Sequence, residues 1–271
     1  MINNIIFSKD RACQLRLLLE SIKKNADNIF NVNIIYKASN EEFNKGYEQL
    51  KAEELLPNIN WVKQSLNFKK DVISILDSNY EYSCFATDDD IIYRKVDEGK
   101  IIKAFKEDKD IFCFSLRLGK NVTVCYSMNS KNKIVPFEDE EEVIKWEWKK
   151  HYYDAGYSLS VDYHVFTTKD INKLVNKITF ENPNTLEANL QIFSNFPKQI
   201  MAAFEQSVVV NTPINIVNEV YNNRQGEQFA VSVEEFNKRY LDGEVIDLEK
   251  IDFSNIIGCH QELYLPFKNK Q

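Results

Sequence analysis

The chain has 271 residues, of which 44% are apolar and 28% charged, and a net charge of -7. That length and apolar content suffice for a full core in one large domain, and the acidic balance argues against nucleic acid as a partner. No apolar run approaches the ~20 residues needed to span a bilayer, and the N-terminus enters a strand pattern at once without a signal-peptide profile. A cytoplasmic protein is expected, with room only for a peripheral contact at the inner face of a membrane.

Cys13, Cys84, Cys113, Cys125 and Cys259 are odd in number, widely spaced and free of any CxxC pair. The pattern predicts reduced, mostly buried thiols and argues against a disulfide framework or a zinc site. Seven glycines and six prolines leave no obvious linker, and no internal repeat is visible.

In chain order, Ile2-Asn3-Asn4-Ile5-Ile6-Phe7 reads as a first strand. It runs through Ser8-Lys9-Asp10-Arg11 into a helix with Leu15, Leu18, Leu19 and Ile22 on one face, which Asp10 is placed to cap. A second strand over 32–36 precedes a helix striped by Phe43, Tyr47 and Leu50; a short third strand at 60–63 precedes one striped by Phe68, Val72, Ile75 and Leu76. A fourth strand, Tyr82-Ser83-Cys84-Phe85-Ala86-Thr87, then stops abruptly at Asp88-Asp89-Asp90. Four alternations of strand and helix predict an α/β fold with a mostly parallel sheet and helices on both faces. Right-handed crossovers bring the strand C-termini to one edge, where ligands of such folds bind. Ser8, Asp10, Arg11, Lys37 and the acidic triplet therefore share a rim.

Three consecutive carboxylates repel one another, and a divalent cation is the simplest partner that relieves them; oxygen ligands favour Mg2+ or Mn2+ over zinc. A solvated acidic turn is the bland alternative. An EF-hand loop fails on spacing, because Tyr93 falls where Gly is required and Gly99 where the bidentate Glu belongs. A phosphatase-type nucleophilic Asp belongs on a first strand, and here several precede.

Beyond the triplet, 96–105 reads as a helix, Ile111-Phe112-Cys113-Phe114-Ser115-Leu116 as a buried strand and 121–126 as a more exposed strand beside it. Regular alternation is then lost. The acidic run at 138–142 reads as a solvated loop or helix start. Trp146, Trp148, Tyr152 and Tyr153 are dense enough to suggest core packing for some rings and a sugar-stacking platform for others, with Trp146, Trp148 and Tyr153 as acceptor-side candidates. The alternating stretch 158–166 reads as a strand with Asp162 and His164 on one side. Glu187 falls in the first turn of a helix capped by Asn184 or Thr185. A short strand at 208–210, a polar loop at 218–226 and a helix striped by Val233, Phe236, Tyr240 and Leu241 follow. His260 lies near the C-terminus, ahead of a tail in which Lys268 and Lys270 are expected to be solvated.

A first strand ending in Ser8-Lys9-Asp10-Arg11, the alternating units and a fourth strand ending in Asp88-Asp89-Asp90 together resemble GT-A-type glycosyltransferases, especially the bacterial family-2-like enzymes. The resemblance covers the first half well and the second half by pieces. It implies one GT-A-like domain over 1–271, with a nucleotide-binding half at 1–93 and an acceptor-binding half and C-terminal extension at 94–271. It also implies a nucleotide-diphosphate-sugar donor, UDP-sugar favoured, and a glycan or lipid-linked acceptor. Ser8, Asp10, Arg11, Lys37, Asp88 and Asp89 would bind the nucleotide sugar. Asp90, Asp88 and His260 would hold the Mn2+ or Mg2+, with Asp90 the principal ligand. Glu187 would be the catalytic base, with Asp162 as rival because Ala188 replaces the usual acidic neighbour. The absence of a Gln-x-x-Arg-Trp motif implies non-processive transfer, and inversion at the anomeric carbon is expected. Two alternatives are a sugar-phosphate nucleotidyltransferase, from which the Gly-free segment after the first strand departs, and a non-catalytic nucleotide-sugar-binding module.

Overall fold

The computed structural model describes residues 1–140, 142–217 and 224–270. The first half alternates as expected: β1 (Ile2–Lys9), α1 (Ala12–Asn25), β2 (Phe30–Lys37), α2 (Glu41–Ala52), β3 (Asn60–Lys63), α3 (Phe68–Leu76) and β4 (Tyr82–Thr87). A short β5 (Asp90–Ile92), α4 (Glu98–Glu107) and β6 (Ile111–Ser115) follow. The second half holds the hairpin β7 (Val124–Cys125) and β8 (Ser130–Lys131), then β9 (Glu138–Glu140), β10 (Val143–Glu147) and α5 (Tyr153–Gly156). It continues through β11 (His164–Thr167), α6 (Thr168–Asn176), α7 (Pro183–Leu190), β12 (Ile200–Phe204) and β13 (Val209–Asn211), ending with α8 (Val233–Leu241), β14 (Glu244–Ile246) and β15 (Phe267–Asn269).

Nine of these strands form one sheet in the order β3-β2-β1-β4-β11-β6-β12-β10-β9. The β3-β2-β1-β4 block is parallel throughout, whereas β11 runs antiparallel to both β4 and β6, and β12 is parallel to β6. The result is an α/β fold with a parallel first half and a mixed second half. Alternation along β1 sends Ile2 and Ile6 to one face, with α1, α2 and α8, and Ile5 and Phe7 to the other, with α3, α6 and α7. The two asparagines of β1 are satisfied across the sheet. Asn33 donates to Asn3 at 2.8 Å, Asn60 to Asn33 at 3.0 Å, and Asn4 to the Tyr163 hydroxyl at 3.1 Å, so central asparagines cost no unpaired buried amide.

Several local expectations are corrected by tertiary pairing. β7 pairs with β8 and not with β6. The backbone at 138–140 is an edge strand on β10, where a loop or helix start was expected; Glu141 and positions 218–223 of the expected polar loop lie outside the described residues. The C-terminal tail is docked rather than solvated, since β15 pairs with β14, Lys268 reaches Asp247 at 2.9 Å and Lys270 reaches Glu53 at 2.8 Å. All five cysteines are free and buried, as their spacing predicted.

Glu53 ties four separate pieces together behind the sheet. Its carboxylate accepts from Arg16 on α1 at 2.7 Å, from Lys270, and from the Tyr240 hydroxyl on α8. Burial pushes its pKa up, but the bonds from Lys270, Tyr240 and Arg16 outweigh that and hold it below the usual carboxylate range. A carboxylate depressed on folding contributes stability that is present above its unfolded pKa and lost as pH falls through the folded value. Glu53→Gln is expected to lower stability by about 1–3 kcal/mol at neutral pH and to flatten the acid limb of stability against pH, both read from urea unfolding. An unchanged acid limb would remove Glu53 from this role.

Candidate active site

β1 and β4 lie side by side and end at the same edge, so the segments that leave them meet. Asp10 takes a left-handed turn at φ 59°, and its carboxylate accepts from the Ser39 backbone N–H at 2.7 Å. It therefore pins the loop after β2 and does not cap α1, whose first helical turn has Arg11 as its flanking residue and no side-chain cap. The sharp turn aims Arg11 back across the sheet edge. Its Nη1 donates to Asp88 at 3.1 Å and to Asp89 at 2.9 Å, its other amino group reaches the Asn215 carbonyl, and its backbone N–H donates to the Tyr47 hydroxyl at 3.3 Å. Ser8 shares a 2.7 Å bond with that same hydroxyl, and the Lys9 N–H donates to Asp88 at 3.2 Å.

The three acidic residues have different fates. Asp88 and Asp89 face the cleft, and burial followed by the neighbouring Asp89 charge pushes Asp88 up to about 6 despite Arg11. Asp90 turns inward: it accepts from the Thr87 N–H at 2.8 Å and from Asn211 at 3.1 Å, is 1% exposed and does not line the cleft. Burial, with Asp162 and Asp89 nearby, drives its pKa well above the ordinary range. Asp90, expected as the principal metal ligand, instead turns its oxygens to close the β4-β5 turn. Asn211, the last residue of β13, binds this turn together by donating also to Asp89 at 2.9 Å and to Thr87 at 3.2 Å.

A second polar group lies where β6 ends and β11 begins. Arg117, 2% exposed, donates to Asp162 at 3.1 Å and to His164 at 3.4 Å. His260 Nε2 lies 3.2 Å from that same Asp162 oxygen, Oδ2, and Thr87 donates to the other oxygen at 3.3 Å, linking the two polar groups. Burial opposes the charge on Asp162, but the bond from His260 and the Arg117 guanidinium hold it down at about 2. His164 is driven down to about 3 by burial and the adjacent guanidinium, so it is a neutral acceptor for Arg117. The segment before β11 bends, with Tyr163 at φ 49°, and this brings Asp162 and His164 to the same guanidinium without the long strand expected there.

Glu187 reaches the same cleft from α7, where its carboxylate accepts from Ser160 at 2.9 Å and from the Val161 N–H at 3.1 Å. That helix begins at Pro183 with Asn182 as cap and Thr185 completing a reciprocal capping box, so Glu187 stands one turn further in than the sequence suggested. Burial, then the Asp162 charge, raises its pKa above the usual range.

Arg11, Asp88, Asp89, Arg117, Asp162, Glu187 and His260 line one cleft of about 980 Å3, together with Ser8, Lys37, Tyr126 and Tyr153. Trp146 and Trp148 do not reach it. Trp146 is 0% exposed with its indole N–H donating to the Ala155 carbonyl at 2.8 Å, and Trp148 is buried against Phe112. The aromatic wall is made instead by Tyr126, Tyr152, Tyr153 and Tyr157, with Tyr152 82% exposed.

No family model matches the chain. It is 25% identical over 283 aligned positions to the bifunctional glycosyltransferase pgtA of Dictyostelium discoideum, an alignment that covers 91% of this chain and 36% of that protein. The chain is thus a relative of a glycosyltransferase. It spans about a third of that relative's length. Among solved structures, S. aureus TarS superimposes with a TM-score of 0.48 and 17% identity over 79% of this chain and 37% of that one. A cytidylyltransferase from Leptospira borgpetersenii superimposes with 0.41 and 11% identity over 72% and 71%.

Within this glycosyltransferase relative, sequence reasoning missed Arg117 and Asn211. A lone arginine between Leu116 and Leu118 at a buried strand end was the available signal, because a buried guanidinium needs a carboxylate. Arg117→Met is expected to cost about 3–5 kcal/mol in urea unfolding by stranding the Asp162 charge, and Arg117→Met with Asp162→Asn is expected to recover most of it. Simply additive losses would show that the pair is not coupled.

Proposed function

We propose that the chain transfers a sugar from a nucleotide-diphosphate sugar, with UDP-sugars favoured, to a hydroxyl of a glycan or lipid-linked acceptor. The observation that carries this reading is the Arg11 guanidinium shared by Asp88 and Asp89 at the β1-β4 edge, opening into a cleft of about 980 Å3 in a chain similar to a glycosyltransferase. Two carboxylates against one guanidinium leave an uncompensated negative charge in a partly desolvated place. An oxygen-ligated cation suits that excess, and Asp88 and Asp89 are the residues that would hold Mn2+ or Mg2+. His260 is engaged by Asp162 through Nε2, so the fit does not depend on it. When bound, the cation would screen the diphosphate and stabilise the departing nucleotide as a Lewis acid.

The chain's own residues supply the rest. Arg11 lies where it can share the charge of a leaving diphosphate, and Ser8 and Lys37 on the same rim are placed to meet the nucleotide. Glu187 is the better base of the two carboxylates. Its raised pKa makes it a competent proton acceptor for an attacking hydroxyl, whereas Asp162 at about 2 is a weak base committed to Arg117 and His260. Attack from the side opposite the nucleotide inverts the anomeric configuration. Tyr153 and the neighbouring tyrosines offer ring faces to the acceptor in place of Trp146 and Trp148.

The test is incubation with a panel of nucleotide sugars, Mn2+ and simple glycoside acceptors, reading nucleotide-diphosphate release and product. Transfer from at least one donor is expected. Binding without release would make the chain a binding module, and formation of a nucleotide sugar from a sugar phosphate would make it a nucleotidyltransferase. Glu187→Gln is expected to keep donor affinity within about twofold while kcat falls ~10^2- to 10^4-fold. Turnover near that of the unmodified chain would take the base role from Glu187.

A further inference from the structure

The cleft wall contains a third cluster that the proposed transfer reaction does not use. Ligand atoms of Asp154, Cys259 and His260 lie within 4.8 Å of one another. They come from distant parts of the chain: Asp154 from α5, and Cys259 and His260 from the segment after α8. Backbone pairing fixes that segment independently of the cluster, since the Asn211 N–H donates to the Cys259 carbonyl at 2.8 Å and Gln261 donates to the Asn211 carbonyl at 2.9 Å.

The donor atoms face one another. His260 uses Nε2 toward Asp162 at 3.2 Å, which leaves Nδ1 directed at the Cys259 sulfur at 3.4 Å. A carboxylate on the remote ring nitrogen is the arrangement that fixes the tautomer of a metal-binding histidine. From ordinary zinc bond lengths, a tetrahedral site separates sulfur and nitrogen ligands by roughly 3.6 Å, close to what is present. Asp154 supplies an independent sign of a missing partner: it is 6% exposed, and its Oδ2 is buried with no hydrogen-bond partner among the described residues.

We propose that Asp154, Cys259 and His260 form a site for a thiolate-preferring divalent cation, Zn2+ foremost. Sulfur, imidazole and a single carboxylate select zinc over the oxygen-seeking Mg2+ and Mn2+. The cation joins α5 to the C-terminal segment in one wall of the cleft and holds His260 against Asp162. The sequence hid this site because no two of its ligands have zinc-motif spacing.

The test uses the full chain, stripped with a chelator and titrated with Co2+ alone, without nucleotide. One equivalent is expected to bind with a thiolate-to-cobalt charge-transfer absorption that Zn2+ abolishes on displacement. Cys259→Ser is expected to remove that absorption. Asp154→Asn, which keeps the side-chain shape, should weaken Co2+ binding at least ~10-fold with an unchanged circular dichroism spectrum. Asp88→Asn should leave the thiolate signal intact, which separates this site from the proposed donor site. Co2+ bound without thiolate absorption, no Co2+ bound, a signal that survives Cys259→Ser, or full affinity in Asp154→Asn would each overturn the proposal.

Discussion

The contact on which the site depends is the guanidinium of Arg11 laid between Asp88 and Asp89. It joins the exits of β1 and β4, two strands that are neighbours in space but almost eighty positions apart in sequence, and it does so in a place from which water is largely excluded. Isolated carboxylates there would be costly, and one guanidinium does not fully neutralise two of them. The site is thus held together and left electrically incomplete by the same residues. An anionic ligand carrying its own cation suits both features, since the cation answers the carboxylates while the anion answers the arginine.

The second half of the chain supplies what the parallel half lacks. β11 enters antiparallel between β4 and β6, placing Asp162 and His164 within reach of Arg117, and α7 brings Glu187 to the same opening. Two carboxylates in neighbouring surroundings are driven in opposite directions. Asp162, flanked by His260 and Arg117, stays ionised, while Glu187 is pushed toward higher pKa by burial and by the Asp162 charge. In the proposed transfer, such a split would separate a positioning charge from a proton acceptor.

The parallel half was legible in the sequence because each of its elements carries its own signal. Leu15, Leu18, Leu19 and Ile22 mark a helix at its own period, and an apolar run that ends in three acids marks a buried strand meeting a site. Where several chain segments must meet, local signals gave less. Asp10 has the residue type of a helix cap, yet its oxygen satisfies Ser39. Trp146 and Trp148 have the composition of a sugar platform, yet a nine-stranded sheet needed large rings in its interior, and the exposed tyrosines beside them line the cleft. Equivalence among Asp88, Asp89 and Asp90 was broken by Thr87 and Asn211, a contact from over a hundred residues away that no spacing rule anticipates.

The most direct measurement is a crystal structure of the chain soaked with UDP and Mn2+. The predicted result is density for the cation against the Asp88 and Asp89 carboxylates, with the diphosphate between that cation and Arg11 and the base lying along the rim formed by Ser8 and Lys37. A nucleotide bound away from the β1-β4 edge, or a cation held without either carboxylate, would contradict it.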